Sequence, residues 1–148
     1  MNNGSVEHSL NDLIEIARDG QSFYEEAASK VQDTELSSLF RRIAAVKADI
    51  VGTLGTAVAA AGGTPAEHGT VVGSMRQMYG KLRATFGDTQ YGYVAELEES
   101  EDRLLAAFRE ALSNNDLPPA ARQEISRLLP EVQQCHDIMR TRKHAMQS

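Results

Sequence analysis

Apolar residues recur every three or four positions along nearly the whole chain, and this spacing restricts the fold more than any other feature. Such a repeat lines one face of an α-helix. No long stretch alternates apolar and polar residues, and β-branched clusters are rare, so strands have little support. The first stripe is Val6, Leu10, Leu13, Ile14, Ala17, Tyr24, Ala27, Ala28 and Val31, which predicts a helix from Ser5 or Ser9 to Val31. Ser9 with Asp12 reads as a capping pair. Asp19-Gly20 interrupts the helix, and a glycine there costs about 1 kcal/mol against alanine, which points to close packing or a local bend. Asp33 reads as the N-cap of a second helix. That helix carries Leu36, Leu39, Phe40, Ile43, Val46, Ile50, Leu54, Ala57, Val58 and Ala61, and Gly62-Gly63 ends it.

After a loop from Thr64 to Gly69, the residues Val71, Val72, Met75, Met78, Tyr79, Leu82 and Phe86 predict a short amphipathic helix from Thr70 to Phe86. The third long helix is expected from Thr89 to Ser113, with Val94, Leu97, Leu104, Leu105, Phe108 and Leu112 inside. Pro118-Pro119 starts the fourth, which runs to Met146 with Ala121, Ile125, Leu128, Leu129, Val132, Met139 and Met146 inside. Pro130 removes one backbone hydrogen bond and is expected to kink it. Two helices joined by a tight turn, a long crossover with its own short helix, and two more helices define an all-α class. The expected architecture is a ferritin-like four-helix bundle with the extra helix between helices 2 and 3. One domain covers residues 1–148, with 1–5 as a flexible N-terminus.

Composition narrows the function classes. The chain has 148 residues, with 15 Lys plus Arg against 21 Asp plus Glu, a net charge of −6. An acidic chain with pI near 5.2 is a poor generic nucleic-acid binder. Its short basic runs, Arg41-Arg42 and Arg140 to Lys143, read as solvated helix faces and a helix C-terminus. Cys135 is the single cysteine, which precludes an intrachain disulfide and fits a reducing cytoplasm. Residues 1–5 lack the basic and apolar regions of a signal peptide. The longest uncharged run, Ile50 to Ala66, is broken by Gly52, Gly55, Gly62, Gly63 and Pro65, so it is read as a helix face and its exit, with no membrane partner.

Bundles of this type often hold two metal ions on Glu residues and Glu-x-x-His pairs. Here Ser5, Pro65, Gln133 and Thr141 stand three residues before His8, His68, His136 and His144, so no Glu-x-x-His occurs. Two polar residues still fall on apolar seams. Glu101 lies between Leu97 and Leu104, and His136 between Val132 and Met139. A carboxylate on a core seam is costly unless paired. One reading is an internal hydrogen-bond pair with a Glu, His or Tyr that sets helix register. The other is a non-standard metal site for Fe or Mn on Glu101 and His136, completed by Tyr24 or a carboxylate of helix 1.

The acidic run Glu96, Glu98, Glu99, Glu101 and Asp102 is expected to lie mostly on a solvated face. Cys135 reads as a small buried hydrophobe, and the methionines as packing. Phosphotransfer through His136 or His144 would need an exposed ring with room for a partner. Gly52, Gly55, Thr56, Ala59 and Gly63 form a small-residue ridge, facing either another helix of the bundle or a second subunit.

Leu10 to Glu15, Asp19-Gly20, Tyr24 to Ala28, Leu39 to Arg41, Asp116 to Pro119 and His136 to Arg140 together resemble an uncharacterised bacterial family. That family is described as a ferritin-like four-helix-bundle domain of unknown function. The resemblance spans Leu10 to Arg142 and implies a ferritin-like fold, a bacterial cytoplasmic setting and no established activity. The rubrerythrin-like pattern is a more distant likeness. Aligned on Tyr24, Phe40 and Phe108, its metal-ligand positions fall on Ala17, Lys47, Ile50, Glu101, Gln133 and His136, so only Glu101 and His136 keep a ligand type. The expected function is therefore non-enzymatic: a metal-free homodimer acting through an unknown protein partner, with a stress role implied by the resemblance alone. The rival is the metal-binding or oxidase reading of Glu101 and His136.

Overall fold

The computed structural model describes residues 3–70 and 89–147, with side chains from Val6 onward. Four helices make up the described fold: α1 (Asn3–Lys30), α2 (Thr34–Ala60), α3 (Gln90–Leu112) and α4 (Pro119–Gln147). The expected short helix at 70–86 lies almost wholly outside the described residues. α1 begins at Asn3, ahead of both expected starts, so Ser9 sits inside the helix rather than capping it. Asp12 instead faces His8 one turn back, at 3.5 Å. Residues 3–5, within the N-terminal segment expected to be flexible, form the first residues of α1.

The other ends obey local rules. The Asp33 carboxylate accepts from the Leu36 amide at 2.8 Å, capping α2. At its far end Gly62 takes φ 85°, a left-handed conformation that glycine adopts without Cβ strain. The Gly62 amide then donates to the Ala59 carbonyl and the Gly63 amide to the Val58 carbonyl, each at 3.0 Å, closing a Schellman motif. The Thr89 hydroxyl accepts from the Gly92 amide at the start of α3. Pro119 opens α4, where its missing N–H is no loss. Arg122 donates to the Leu112 and Asn114 carbonyls, which clamps the α3–α4 turn. α4 continues as one helix through Pro130.

Each helix packs on two neighbours, in the ring α1–α2–α4–α3. Ser9, Asp12 and Leu13 share a groove with Ala107, Glu110 and Ala111, so α1 and α3 run antiparallel. Thr53 and Ala57 line another with Ala121 and Glu124, and Arg142 reaches back to Glu35 at 3.0 Å, so α2 and α4 are antiparallel too. With tight turns joining α1 to α2 and α3 to α4, every neighbouring pair is antiparallel. α2 and α3 lie across the diagonal, pointing the same way, and the α2–α3 connection must travel the length of the bundle.

Its first part is described. The Glu7 carboxylate accepts from the Thr64 amide, and Asn11 bonds both the Thr64 carbonyl and the Ala66 amide. Arg18 donates to the Ala66 carbonyl and Asp19 accepts from the Thr70 amide and hydroxyl. Residues 64–70 therefore climb along α1 from Glu7 to Asp19. Twelve helical residues rise about 18 Å, and six extended residues reach about 20 Å, so the two runs match in length. Gly63 lies so close to the Glu7 carboxylate that a Cβ there would come within 2.7 Å of its carbon.

The core is divided. One cluster joins Val6, Leu10, Leu13, Ile14, Ala17, Ile50, Leu54, Val58, Leu104, Phe108, Ile125 and Val132 with their neighbours. The other joins Phe23, Tyr24, Ala27, Leu36, Phe40, Ile43, Tyr93, Val94, Leu97, Cys135 and Met139. The expected stripes are largely buried, but Met146 is exposed: it lies in the last turn of α4. α2 is long and apolar enough to cross a bilayer by length and composition, as the core helix of a bundle also is. Its residues Leu36, Phe40, Ile43, Ile50, Leu54 and Val58 are buried against the other helices.

Candidate functional site

Between the two apolar clusters lies a polar layer, with Gly20 on α1, Lys47 on α2, and Ser100 and Glu101 on α3. Lys47 falls four residues after Ile43 and three before Ile50, so the stripe that buries those residues carries Lys47 inward as well. Glu101 sits three before Leu104 and four after Leu97 and turns inward for the same reason. Lys47 is 1% exposed and Glu101 0%.

Their charges meet across the bundle diagonal. The Lys47 ammonium donates to Glu101 Oε1 at 2.7 Å, and the Tyr24 hydroxyl donates to Glu101 Oε2 at 2.5 Å. Both carboxylate oxygens thus hold charge-assisted bonds of the short, strong kind. The ammonium also lies 5.8 Å from the centre of the Tyr24 ring, within the range of a cation–π contact. Phe40 meets that ring edge-on, with centroids 5.9 Å apart, and holds it in place. The buried Cys135 thiol of α4 feels the charges of both Lys47 and Glu101, so all four helices border the centre. Burial, then the negative charge of Glu101, pushes the Tyr24 phenol well above its ordinary range. Burial also raises the Cys135 thiol, against the pull of the Lys47 charge. At Gly20 a Cβ would meet Ser100 Oγ at 3.4 Å and Lys47 Cε at 3.6 Å, ordinary van der Waals contacts, so the lysine stem lies beside α1 at this position.

A second polar group occupies the α3–α4 seam. His136 Nε2 lies 2.6 Å from Asp102 Oδ1, and Nδ1 lies 3.2 Å from Asp137 Oδ1. Gln133 donates to Asp137 and accepts from Arg109, and Lys143 stands 3.6 Å from Glu98. Burial raises the Glu98 carboxyl, helped by a hydrogen bond and repulsion from Asp102 and opposed by Lys143. The hydrogen bond from His136 lowers the exposed Asp137 carboxyl.

Glu101 and His136, which the metal-site reading groups together, engage different partners: Glu101 bonds Lys47 and Tyr24, and His136 bonds Asp102 and Asp137. Glu101 bonds Tyr24, one of the partner types that the hydrogen-bond reading names. Lys47 is the participant that the reading of seams overlooked; its place on the α2 stripe was the available signal. The acidic run departs from expectation: Glu96, Glu98 and Glu101 are buried, leaving Glu99 and Asp102 exposed. Burial extends right around the first half of α3, where every residue from Gly92 to Glu98 is enclosed.

Fe or Mn would need several carboxylate or imidazole donors converging on one point. Among the described residues no three His, Cys, Asp or Glu side chains do so. At the centre itself an ammonium occupies the face of Glu101 where a metal would sit, and like charges repel. The residues do not fit a metal.

The small-residue ridge also departs from expectation. A Cβ at Gly55 would meet Pro65 of the crossover at 3.6 Å, and one at Gly63 would meet Glu7 of α1, so the ridge abuts the crossover loop at one position and another helix at the other. Gly52 has open space beside it, and Thr56 and Ala59 are exposed. The grooves also lie away from the polar centre. One of 670 Å³ runs between α2 and α4, lined by Val6, Thr53, Thr56, Ala60, Ala121 and Arg127 among others. Others lie between α1 and α3 and on the outer face of α4.

No curated protein matches the chain. A family model, described as a domain of unknown function (DUF2383), matches residues 5–114, a span that includes Tyr24, Lys47 and Glu101 but not His136. The chain belongs to this DUF2383 family.

Proposed function

We propose that the chain is a ferritin-like bundle without catalytic activity, which works in the bacterial cytoplasm through protein contacts, the first of them with a second copy of itself. Antiparallel neighbours with one long α2–α3 crossover support the ferritin-like reading. The observation that carries the functional reading is the closure of the polar centre. Both Glu101 oxygens are engaged, and among the described residues the grooves on the helices are lined by others than Tyr24, Lys47 and Glu101. A reaction centre needs a concave site with groups left to meet a substrate. This centre has its polar groups turned on one another, which leaves the outer faces for function.

The open α2 face around Gly52 and Thr56 suits a close helix contact between copies. Light scattering coupled to size exclusion tests it: a dimer is expected for the wild type and a monomer for Thr56→Arg. A monomeric wild type overturns the self-contact. Metal analysis after incubation with Fe²⁺ and Mn²⁺ and desalting tests the rest. Less than about a tenth of an ion per chain is expected from a centre whose carboxylate is paired; one ion per chain, lost on Glu101→Ala, overturns it.

A further inference from the structure

The closed centre has the anatomy of a cation site. A buried carboxylate supplies the charge, with Glu101 Oε1 facing inward. A thiol, Cys135, and an aromatic face, Tyr24, complete the surroundings. Tyr24 also fixes the carboxylate by donating to its second oxygen, so the acceptor is held whether or not the cation is present. The cation reaches this point on a stem whose last carbons lie beside Gly20 of α1. Resting on the reading that the centre is closed by its own groups, we propose that it is an ammonium-binding site whose ligand, the Lys47 side chain, is supplied by the chain itself. The tethered ligand excludes free cations by occupying their place. Shortening the tether therefore turns an internal ligand into an external requirement, and the ligand class it admits is a small primary alkylammonium.

Lys47→Ala removes a propylammonium equivalent, so n-propylammonium is the probe. It should raise the thermal midpoint of Lys47→Ala by several degrees over sodium chloride at equal ionic strength. Uncharged n-propanol should not, because it lacks the charge that Glu101 requires. Neither wild type nor the double variant Lys47→Ala/Glu101→Gln should respond to the amine. Equal responses to amine and alcohol, or none to either, overturn the proposal. If Lys47→Ala does not fold, recovery of helicity on refolding with propylammonium supports it, and no recovery counts against it. Wild-type protein gives a reading independent of any variant's folding. Labelled with ¹⁵N-lysine, it should show one slowly exchanging ammonium resonance near neutral pH, and its absence overturns the proposal. Metal found in the wild-type protein would overturn the proposed function instead, so the two failures are distinguishable.

Discussion

Glu101 and Asp102 are adjacent in sequence and opposite in circumstance. One residue on an α-helix turns the side chain by about 100°. Glu101 enters the bundle axis and loses all contact with water; Asp102 stays on the α3–α4 seam, with its side chain 46% exposed. Each holds a short bond to a basic side chain: Lys47 at 2.7 Å and His136 at 2.6 Å. Similar distances conceal different energetics. At the axis, losing one partner strands a charge in a dry interior, whereas on the seam water replaces whatever is removed. What a polar contact is worth here depends on its surroundings more than on its length.

The sharpest way to break this contrast is Glu101→Ala, which leaves the Lys47 ammonium buried and unpaired. A loss of about 3–5 kcal/mol in urea unfolding is expected. Replacing both charges with apolar groups, Lys47→Met with Glu101→Leu, should recover that loss, and buried pairs replaced this way can end about 1–4 kcal/mol more stable. Failure of the double variant to recover would mean that the pair contributes register as well as charge balance. Tyr24→Phe removes one donor to the carboxylate and should cost about 2 kcal/mol, again by urea unfolding. On the seam, Asp102→Asn should cost about 1 kcal/mol or less; a larger loss would show the seam to be as dry as the axis.

The smallest expected effect concerns pH. Glu98 is raised above its ordinary 4.5 by burial and by Asp102, so the folded state holds its proton more tightly than the unfolded one. Between 4.5 and the raised value the folded state binds more protons, and its stability falls as pH rises. Thermal midpoints across this range should therefore decline more in the wild type than in Glu98→Gln. Parallel profiles would remove Glu98 from the account.

The helices and most of the buried stripe were legible because each follows from local rules: Asp33 as an N-cap, Gly62-Gly63 as a terminator, Pro118-Pro119 as a helix start. Glu101 was legible as a polar intruder on an apolar seam. Lys47 stood on its own seam by the same arithmetic, but a long flexible cation reads by default as surface, and only the facing carboxylate across the diagonal gives it a reason to be inside. Pairing between α2 and α3 is a matter of tertiary register, which periodicity within one helix does not carry. The burial of Glu96 and Glu98 escaped notice for a related reason: a single apolar stripe predicts one covered face, whereas α3 near its start is covered on several. Of the two starts that the sequence offers for α1, Ser5 falls near the observed Asn3 and Ser9 well inside the helix, since Ser9 resembles a cap but makes none.

The segment that climbs α1 sets a rule for chain length. Glu7, Asn11, Arg18 and Asp19 bind backbone groups between Thr64 and Thr70, so spacing on the helix dictates spacing on the segment. An extra residue inserted there would put every later contact out of step, as a ratchet slips a tooth. The α3–α4 turn is gauged over a shorter span, by the Asn114 bonds to the Asp116 and Leu117 amides and by Arg122, so an insertion there disturbs one turn rather than a whole ladder.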